Sequence, residues 1–355
     1  MTIREQIEAN EQLILSPKAA LSSETKGRVH SEEECELRSA FMKDRDRILH
    51  SEAFRRLKYK TQVFLAAGND LYRTRLTHTL EVTGIARTIA KALRLNEDLT
   101  EAITYGHDLG HPPFGHVGES VLNRLYPGGF KHNVQSLRIV DRLEGGKGLN
   151  LTFEVRDGIL KHSKGMRSMV PESHKDRSAT LEGQIVRFAD RISYLNHDID
   201  DAIRSGLLSL SHIPDSILQT LGYRHSTRIH TMVSDVIFTS GEGNEIRMSP
   251  KILSETEYLK SFLYEKVYNH PVILKGAEEA KRILAELYEF FLNHPDIVYE
   301  KTNSMMHDPS LERRVLDYIA SMTDRFAVKS HRKYLLNEKQ GSNDLELVNH
   351  DSYKF

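Results

Sequence analysis

Residues 180–206 constrain the fold most. Ile185, Phe188, Ile192, Leu195, Ile199 and Ile203 recur there at three- and four-residue steps, the spacing of one face of an α-helix. A second stripe, Asp190, Tyr194, His197, Asp198 and Asp201, keeps the same period on another face. A helix that is apolar on one side and carries acids and a tyrosine on another packs with the first and can ligate with the second. By itself the acidic stripe is an ordinary solvated face. Its meaning depends on what the rest of the chain brings to it.

Two upstream segments bring imidazoles. From Arg73 the apolar residues Leu76, Leu80, Ile85, Ile89 and Leu93 again follow a helical period, with His78 near the start. Asn96 is a good N-cap, and Glu97 and Asp98 place acids in the first turn, where they favour the helix dipole. That helix delivers His107 and Asp108 at its end, where Gly110 and Pro112-Pro113 stop it. His107, Asp108, His111 and His116 crowd one short stretch of glycines and prolines that fix backbone rather than build core. Imidazole nitrogen and carboxylate oxygen together suit a divalent cation such as Mn, Mg, Fe or Zn. Neighbouring helix residues point about 100° apart, so His107 and Asp108 need further ligands from other helices. His116 and Glu119 are one helical turn apart, where side chains meet. A carboxylate bonded to an imidazole holds its tautomer and raises its pKa, which suits proton transfer near neutrality.

The remaining pattern is helix after helix, and the expected class is all-α. The expected organisation is a polar N-terminal arm (1–40), a catalytic helical core (41–206), a C-terminal helical portion that completes the site and oligomer contacts (207–337) and a polar tail (338–355). Ser22–Arg28 reads as an exposed link and Glu144–Gly148 as an inter-helix turn without the flanks of a phosphate loop. His162 and His174 fall in a polar loop and are expected to face solvent. Phe238–Met248, with Gly241 and Gly243, is expected to form a short hairpin. With 39% apolar and 28% charged residues the composition is that of a soluble globular chain, and no run is long enough to cross a membrane. A polar start and a single cysteine, Cys35, suggest a reducing, cytoplasmic setting. A net charge of −1 gives no global attraction to nucleic acid.

His78, His107-Asp108 and Asp190 together resemble the metal site of the HD phosphohydrolase superfamily. The segments Phe54–Phe64, Thr74–Val82, His107–His116 and Phe130–Ser136 are similar to the deoxyguanosine triphosphate triphosphohydrolase family, as are Leu263–Tyr268 and Asp317–Asp324. The likeness spans roughly residues 40 to 335. It implies an HD-domain helical bundle with an added C-terminal helical portion, and a divalent metal held by His78, His107, Asp108 and Asp190. It implies His116 and Glu119 as the catalytic dyad, and phosphate contacts from Arg75, His111, His132 and Arg191. Gln62, Tyr194 and Asp198 match positions that hold the deoxyribose, with Tyr194 leaving no room for a 2′-hydroxyl, and Tyr268 lies near the base. The implied reaction is hydrolysis of a deoxynucleoside triphosphate, dGTP or several dNTPs, to deoxynucleoside and tripolyphosphate. A homo-oligomer, tetramer or hexamer, is the implied assembly.

Two other readings compete. The same metal ligands serve HD enzymes that cleave a nucleoside monophosphate, a cyclic nucleotide or an alarmone, although these would not require His116, Glu119 and Arg75. A nucleotide-sensing or single-stranded-DNA-binding module is the third reading, with the Arg55, Arg56, Lys58, Lys60 run as its contact surface, testable through salt dependence.

Overall fold

The chain was analysed as a computed structural model that describes residues 1–62, 72–163, 169, 173–241, 243–302 and 310–336. Regular structure among these residues is helical throughout, with two isolated β-bridges, Arg28–Thr152 and Thr61–Thr74, and no strand. The first part holds α1 (Ile3–Ile14), α2 (Ala40–Leu49), α3 (Glu52–Arg56), α4 (Arg75–Ala92), α5 (Glu97–Gly106), α6 (Gly115–Leu125), α7 (His132–Arg138), α8 (Phe153–Lys161) and α9 (Leu181–Arg204). The second holds α10 (Asp215–Leu221), α11 (His225–Ser240), α12 (Pro250–Leu263), α13 (Pro271–Asn293), α14 (Pro295–Thr302), α15 (Leu311–Ser321) and α16 (Asp324–Leu335).

The 24-residue α9 is the axis of the molecule, about 36 Å long at 1.5 Å per residue. Thr180 caps it by accepting from the Gly183 amide at 3.1 Å. Ile185, Phe188, Ile192, Leu195 and Ile199 are buried against α4, α11 and α12. Each such side chain contributes about 1.5–3 kcal/mol through burial. Ile203, at the end of the stripe, is 39% exposed. The second face is not solvated: His197, Asp198 and Asp201 are buried as well. Asp201 pairs with Arg73 at 2.7 Å, so it serves structure.

In α4 the expected stripe packs inward except at Leu80, which is half exposed: Ile85 and Ile89 are buried, Leu76 and Leu93 pack against the core, and Arg75, His78 and Thr79 are buried beside them. Polar residues occupy core-facing positions at the start of this helix because they point into the site rather than into hydrocarbon. The expected hairpin at Phe238–Met248 does not form. Instead α11 runs on to Ser240, Gly241 ends it at φ 44°, and the Ser240 hydroxyl accepts the Arg247 amide at 2.9 Å in place of a ladder. Nor is Ser22–Arg28 an exposed link. Ser22 is buried on Glu11, Glu154 accepts the Lys26 amide at 2.8 Å, and Arg28 pairs with buried Asp44.

A second apolar cluster joins α6 to α13, α15 and α16, and a third joins α2, α5 and α8. The C-terminal helices therefore share cores with the helices that carry the imidazoles. Asp317 of α15 ties down α7 through Gln135 (2.8 Å) and Arg138 (2.9 Å). At the other end, the Glu182 carboxylate of α9 accepts the amides of Ala20 and Asn96, each at 3.0 Å, and so docks the N-terminal arm on the cap of α5.

Burial raises the Glu182 carboxyl from 4.5 to about 7. A carboxyl with a raised folded pKa gives its full stabilisation below pH 4.5 and loses it as the pH rises through 7, which amounts to up to about 3 kcal/mol at 1.36 kcal/mol per pKa unit. In denaturant titrations, Glu182→Gln should gain on the wild type steadily as pH rises through this window. A difference that is constant with pH would refute the assignment.

Candidate metal and phosphate site

The capping of α4 by Thr74, whose hydroxyl accepts the Thr77 amide, aims Arg75 and His78 inward from the first turn. The α5 helix begins at Asn96 as expected and ends at Gly106, so His107 and Asp108 project from its last turn. The chain then passes so close to α7 that a side chain on Gly110 would sit 2.2 Å from the Ser136 nitrogen and 2.3 Å from the His132 carbonyl oxygen. Glycine is required there. Ser136 locks the corner by donating to the His107 carbonyl at 2.7 Å and accepting the Gly110 amide at 2.8 Å.

These elements bring His78, His107 and Asp108 together, each buried, with ligating atoms within 4.8 Å of one another. Asp190 of α9 joins through His78, its carboxylate 3.1 Å from Nε2. The imidazoles are oriented from behind: His107 Nδ1 bonds the Thr104 carbonyl at 2.6 Å, and His78 Nδ1 meets His197 Nε2 at 2.9 Å. With Nδ1–H donating in each, Nε2 keeps a lone pair toward the carboxylates. His107 Nε2 is fully buried and has no hydrogen-bond partner in the chain. A buried nitrogen lone pair facing a carboxylate is the arrangement a divalent cation needs, so the donor set fits one. A buried His/Asp cluster of this kind is compatible with several divalent ions.

Asp108 is surrounded by cations and donors. Arg75 Nη1 lies 2.6 Å away, His111 Nε2 3.2 Å and His107 Nε2 3.5 Å. Burial would push this carboxyl up, but His107, His111 and Arg75 outweigh it and hold it well below the usual range. Burial, then Arg75 and His132, depress His111 strongly, so its ring is neutral. Asp190 is likewise held low against its burial, by the hydrogen bond and charge of His78. Burial would lower His78, but the hydrogen bond and charge of Asp190 and the charge of Asp108 raise it.

The second cluster is built on Glu119. Its Oε2 meets His116 Nδ1 at 3.2 Å, and its Oε1 accepts both the backbone amide and Nδ1 of His132 at 2.8 Å. Burial raises Glu119, but the charge of His132 and both imidazole bonds overcome it and keep the carboxylate ionised. His132 is correspondingly raised despite its burial, chiefly by Glu119. Its ring stacks on His111 at 3.9 Å between centroids, which joins this cluster to Asp108. His116 is the exposed member, with 68% of its side chain open.

Several residues named from the sequence present buried polar atoms that no chain group satisfies: Arg75 Nε and Nη2, His111 Nδ1 and Gln62 Oε1. Such atoms cost roughly 1–3 kcal/mol each unless something pairs with them. Asp198 Oδ1 lies 2.9 Å from His197 Nδ1, behind His78. Arg191 lies over the Tyr194 ring at 5.4 Å. The Tyr268 hydroxyl donates to Asp198, which fixes that ring on α9 from a π-turn at Tyr264–Tyr268. The expectation for His162 was wrong. It is 2% exposed, placed by the end of α8 with Nδ1 on the Ile159 carbonyl, and its Nε2 is 3.3 Å from His132 Nε2. Burial, then His107 and His132, pull it to about 3. The His174 side chain lies outside the described residues. Lys60 was also misread. It is 2% exposed, and the basic run at 55–60 is therefore not one solvated face. His162 and Lys60 had no local signal, since one sits at a loop boundary and the other in a charged run.

Comparison with known proteins accounts for this geometry. Residues 75–195 match the HD domain family, and residues 246–333 match the phosphohydrolase-associated domain. A deoxyguanosinetriphosphate triphosphohydrolase-like protein of Caldanaerobacter subterraneus subsp. tengcongensis is 51% identical, over 95% of this chain and 96% of its own. Its counterpart from Desulfatibacillum aliphaticivorans is also 51% identical, over 94% and 98%. A third, from Bordetella pertussis, is 41% identical over 90% and 96%. No helix among the described residues is long and apolar enough to cross a membrane. The buried His/Asp cluster, the all-helical frame and these relatives agree, and the chain belongs to the deoxyguanosinetriphosphate triphosphohydrolase-like family of HD-domain phosphohydrolases.

Proposed function

We propose that this phosphohydrolase cleaves deoxynucleoside triphosphates, dGTP or several dNTPs, to deoxynucleoside and tripolyphosphate. His78, His107, Asp108 and Asp190 would hold a divalent ion, and His116 would transfer the proton. The observation that carries the reading is the single carboxylate of Glu119, bonded to both His116 and His132 while His132 stacks on a ring that touches Asp108. It supports a proton-transfer group and a phosphate-binding imidazole beside one cation site. A divalent ion bound there would supply Lewis acidity toward a phosphoryl oxygen and a more acidic water.

The chain's own groups have distinct parts. Arg75 keeps Asp108 ionised with one nitrogen and has two buried donors, Nε and Nη2, for phosphate oxygens. His132, raised by Glu119 toward its charged form, and His111 flank the same position. Arg191 adds a further guanidinium for the phosphates. Glu119 orients His116, whose exposed ring can reach a substrate oxygen. Gln62 Oε1 is a buried acceptor suited to a sugar hydroxyl, with the Asp198 carboxylate as its partner there, and Tyr194 forms the wall that excludes a 2′-hydroxyl. Tyr268 holds Asp198 for that contact. A working homo-oligomer, tetrameric or hexameric, is part of the same proposal; Leu13, Ile14 and Phe238 are 82%, 64% and 84% exposed and supply apolar surface for it.

With Mn or Mg and dGTP the purified protein should release intact tripolyphosphate. Pyrophosphate or single phosphates as first products, or faster turnover of a monophosphate, would overturn the reading. Asp108→Ala should lose Mn binding and activity together, as measured by calorimetry and product analysis. His116→Ala should keep Mn binding and lose about 10²–10⁴-fold in kcat. An unchanged kcat in that variant would remove His116 from the mechanism.

A further inference from the structure

Two sequence blocks without a chemical role meet behind the site. Lys60 precedes Gln62, and Asp324 opens α16 at the far end of the chain. Asp324 Oδ2 accepts the Thr61 amide at 2.9 Å, and Oδ1 accepts the Phe114 amide at 2.9 Å. One carboxylate thus bridges the segment that carries Gln62 and the segment that precedes His116. Lys60 Nζ runs parallel to it, donating to the His111 carbonyl at 2.5 Å and to the Ala320 carbonyl at the end of α15 at 3.0 Å.

The bridged backbone needs holding. Phe114 has φ 63° and ψ 23°, a left-handed conformation that costs a non-glycine residue roughly 1–3 kcal/mol. Gly115 follows at φ 58°, so close to its neighbours that a side chain there would lie 2.9 Å from Arg75 Nη2 and from the Gln62 carbonyl oxygen. This double reversal turns the chain into α6 and sets where His116 and Glu119 begin. Neither side chain has a role in ligation: Asp324 is bonded to backbone amides and Lys60 to backbone carbonyls.

We propose that Asp324 and Lys60 are positioning residues through which the C-terminal helices α15 and α16 fix the strained Phe114–Gly115 turn, and with it His116, against the Gln62 segment. This rests on the proposed function for its effect on turnover, though not for its effect on the turn. Misplacing a reacting group by about 1 Å can cost on the order of 100-fold in rate. Asp324→Asn keeps one acceptor and turns an amide NH2 toward the second backbone N–H, so one of the two bridges is lost.

The test uses full-length wild type, Asp324→Asn and Lys60→Met, each loaded with Mn. Peptide-resolved hydrogen exchange should show faster exchange at residues 110–118 and 58–62, with α4 and α9 unchanged. With dGTP, kcat should fall at least about tenfold while Mn affinity stays within twofold of wild type. Unchanged exchange at 110–118, loss of Mn binding in parallel with activity, or a kcat within twofold of wild type would each overturn the proposal. If the wild type does not hydrolyse triphosphates at all, the proposed function fails on its own, and the exchange measurement still decides whether Asp324 and Lys60 hold the turn.

Discussion

The buried carboxylate of Asp108 is the constraint around which the rest is arranged. An ionised group in a protein interior persists only when charges and donors nearby repay its lost hydration. Here Arg75 from α4 and His111 from the following loop supply them. That requirement explains why α4 begins with polar residues on its core-facing side. It also makes α4, α5 and α9 one inseparable packing unit, since Asp190 and His78 must approach from two of these helices.

Electrostatic consequences spread outward from that centre. His111 is lowered by its burial and by the cations beside it, and His132, stacked on it, is raised by Glu119 against its own burial. The two oxygens of Glu119 face different histidines. Function and fold meet in that carboxylate, because it also accepts the amide that starts α7.

The C-terminal portion is a structural participant rather than an appendage. Asp317 holds α7, and with it His132, while Asp324 and Ala320 hold the Lys60–Thr61 segment and Asp324 also holds the turn at Phe114. Apolar contacts between α6 and α13 press the turn at Phe114 from the other side. The region matching the phosphohydrolase-associated domain, which begins near residue 246, therefore packs against the elements that carry the buried His/Asp cluster, whose members all lie before residue 200.

Local chemistry in the sequence was enough to place the helices and their ends. Asn96 before Glu97 and Asp98, and Gly110 with two prolines after Asp108, each act within a few residues of themselves, so they were legible. His107, Asp108, His116 and Glu119 were legible for the same reason. The stripe of α4 missed only Leu80, but apolar periodicity does not register that Arg75, His78 and Thr79 are buried as well. The hairpin at Phe238–Met248 failed because two glycines mark a turn without saying what flanks it, and α11 simply continued. Tertiary structure alone decided that His162 enters the site and that Lys60 and Asp324 close behind it. Those contacts join residues 30, 260 and 263 positions from their partners. No periodicity carries information across such distances; only the packing of α7, α8, α15 and α16 around a buried charge does.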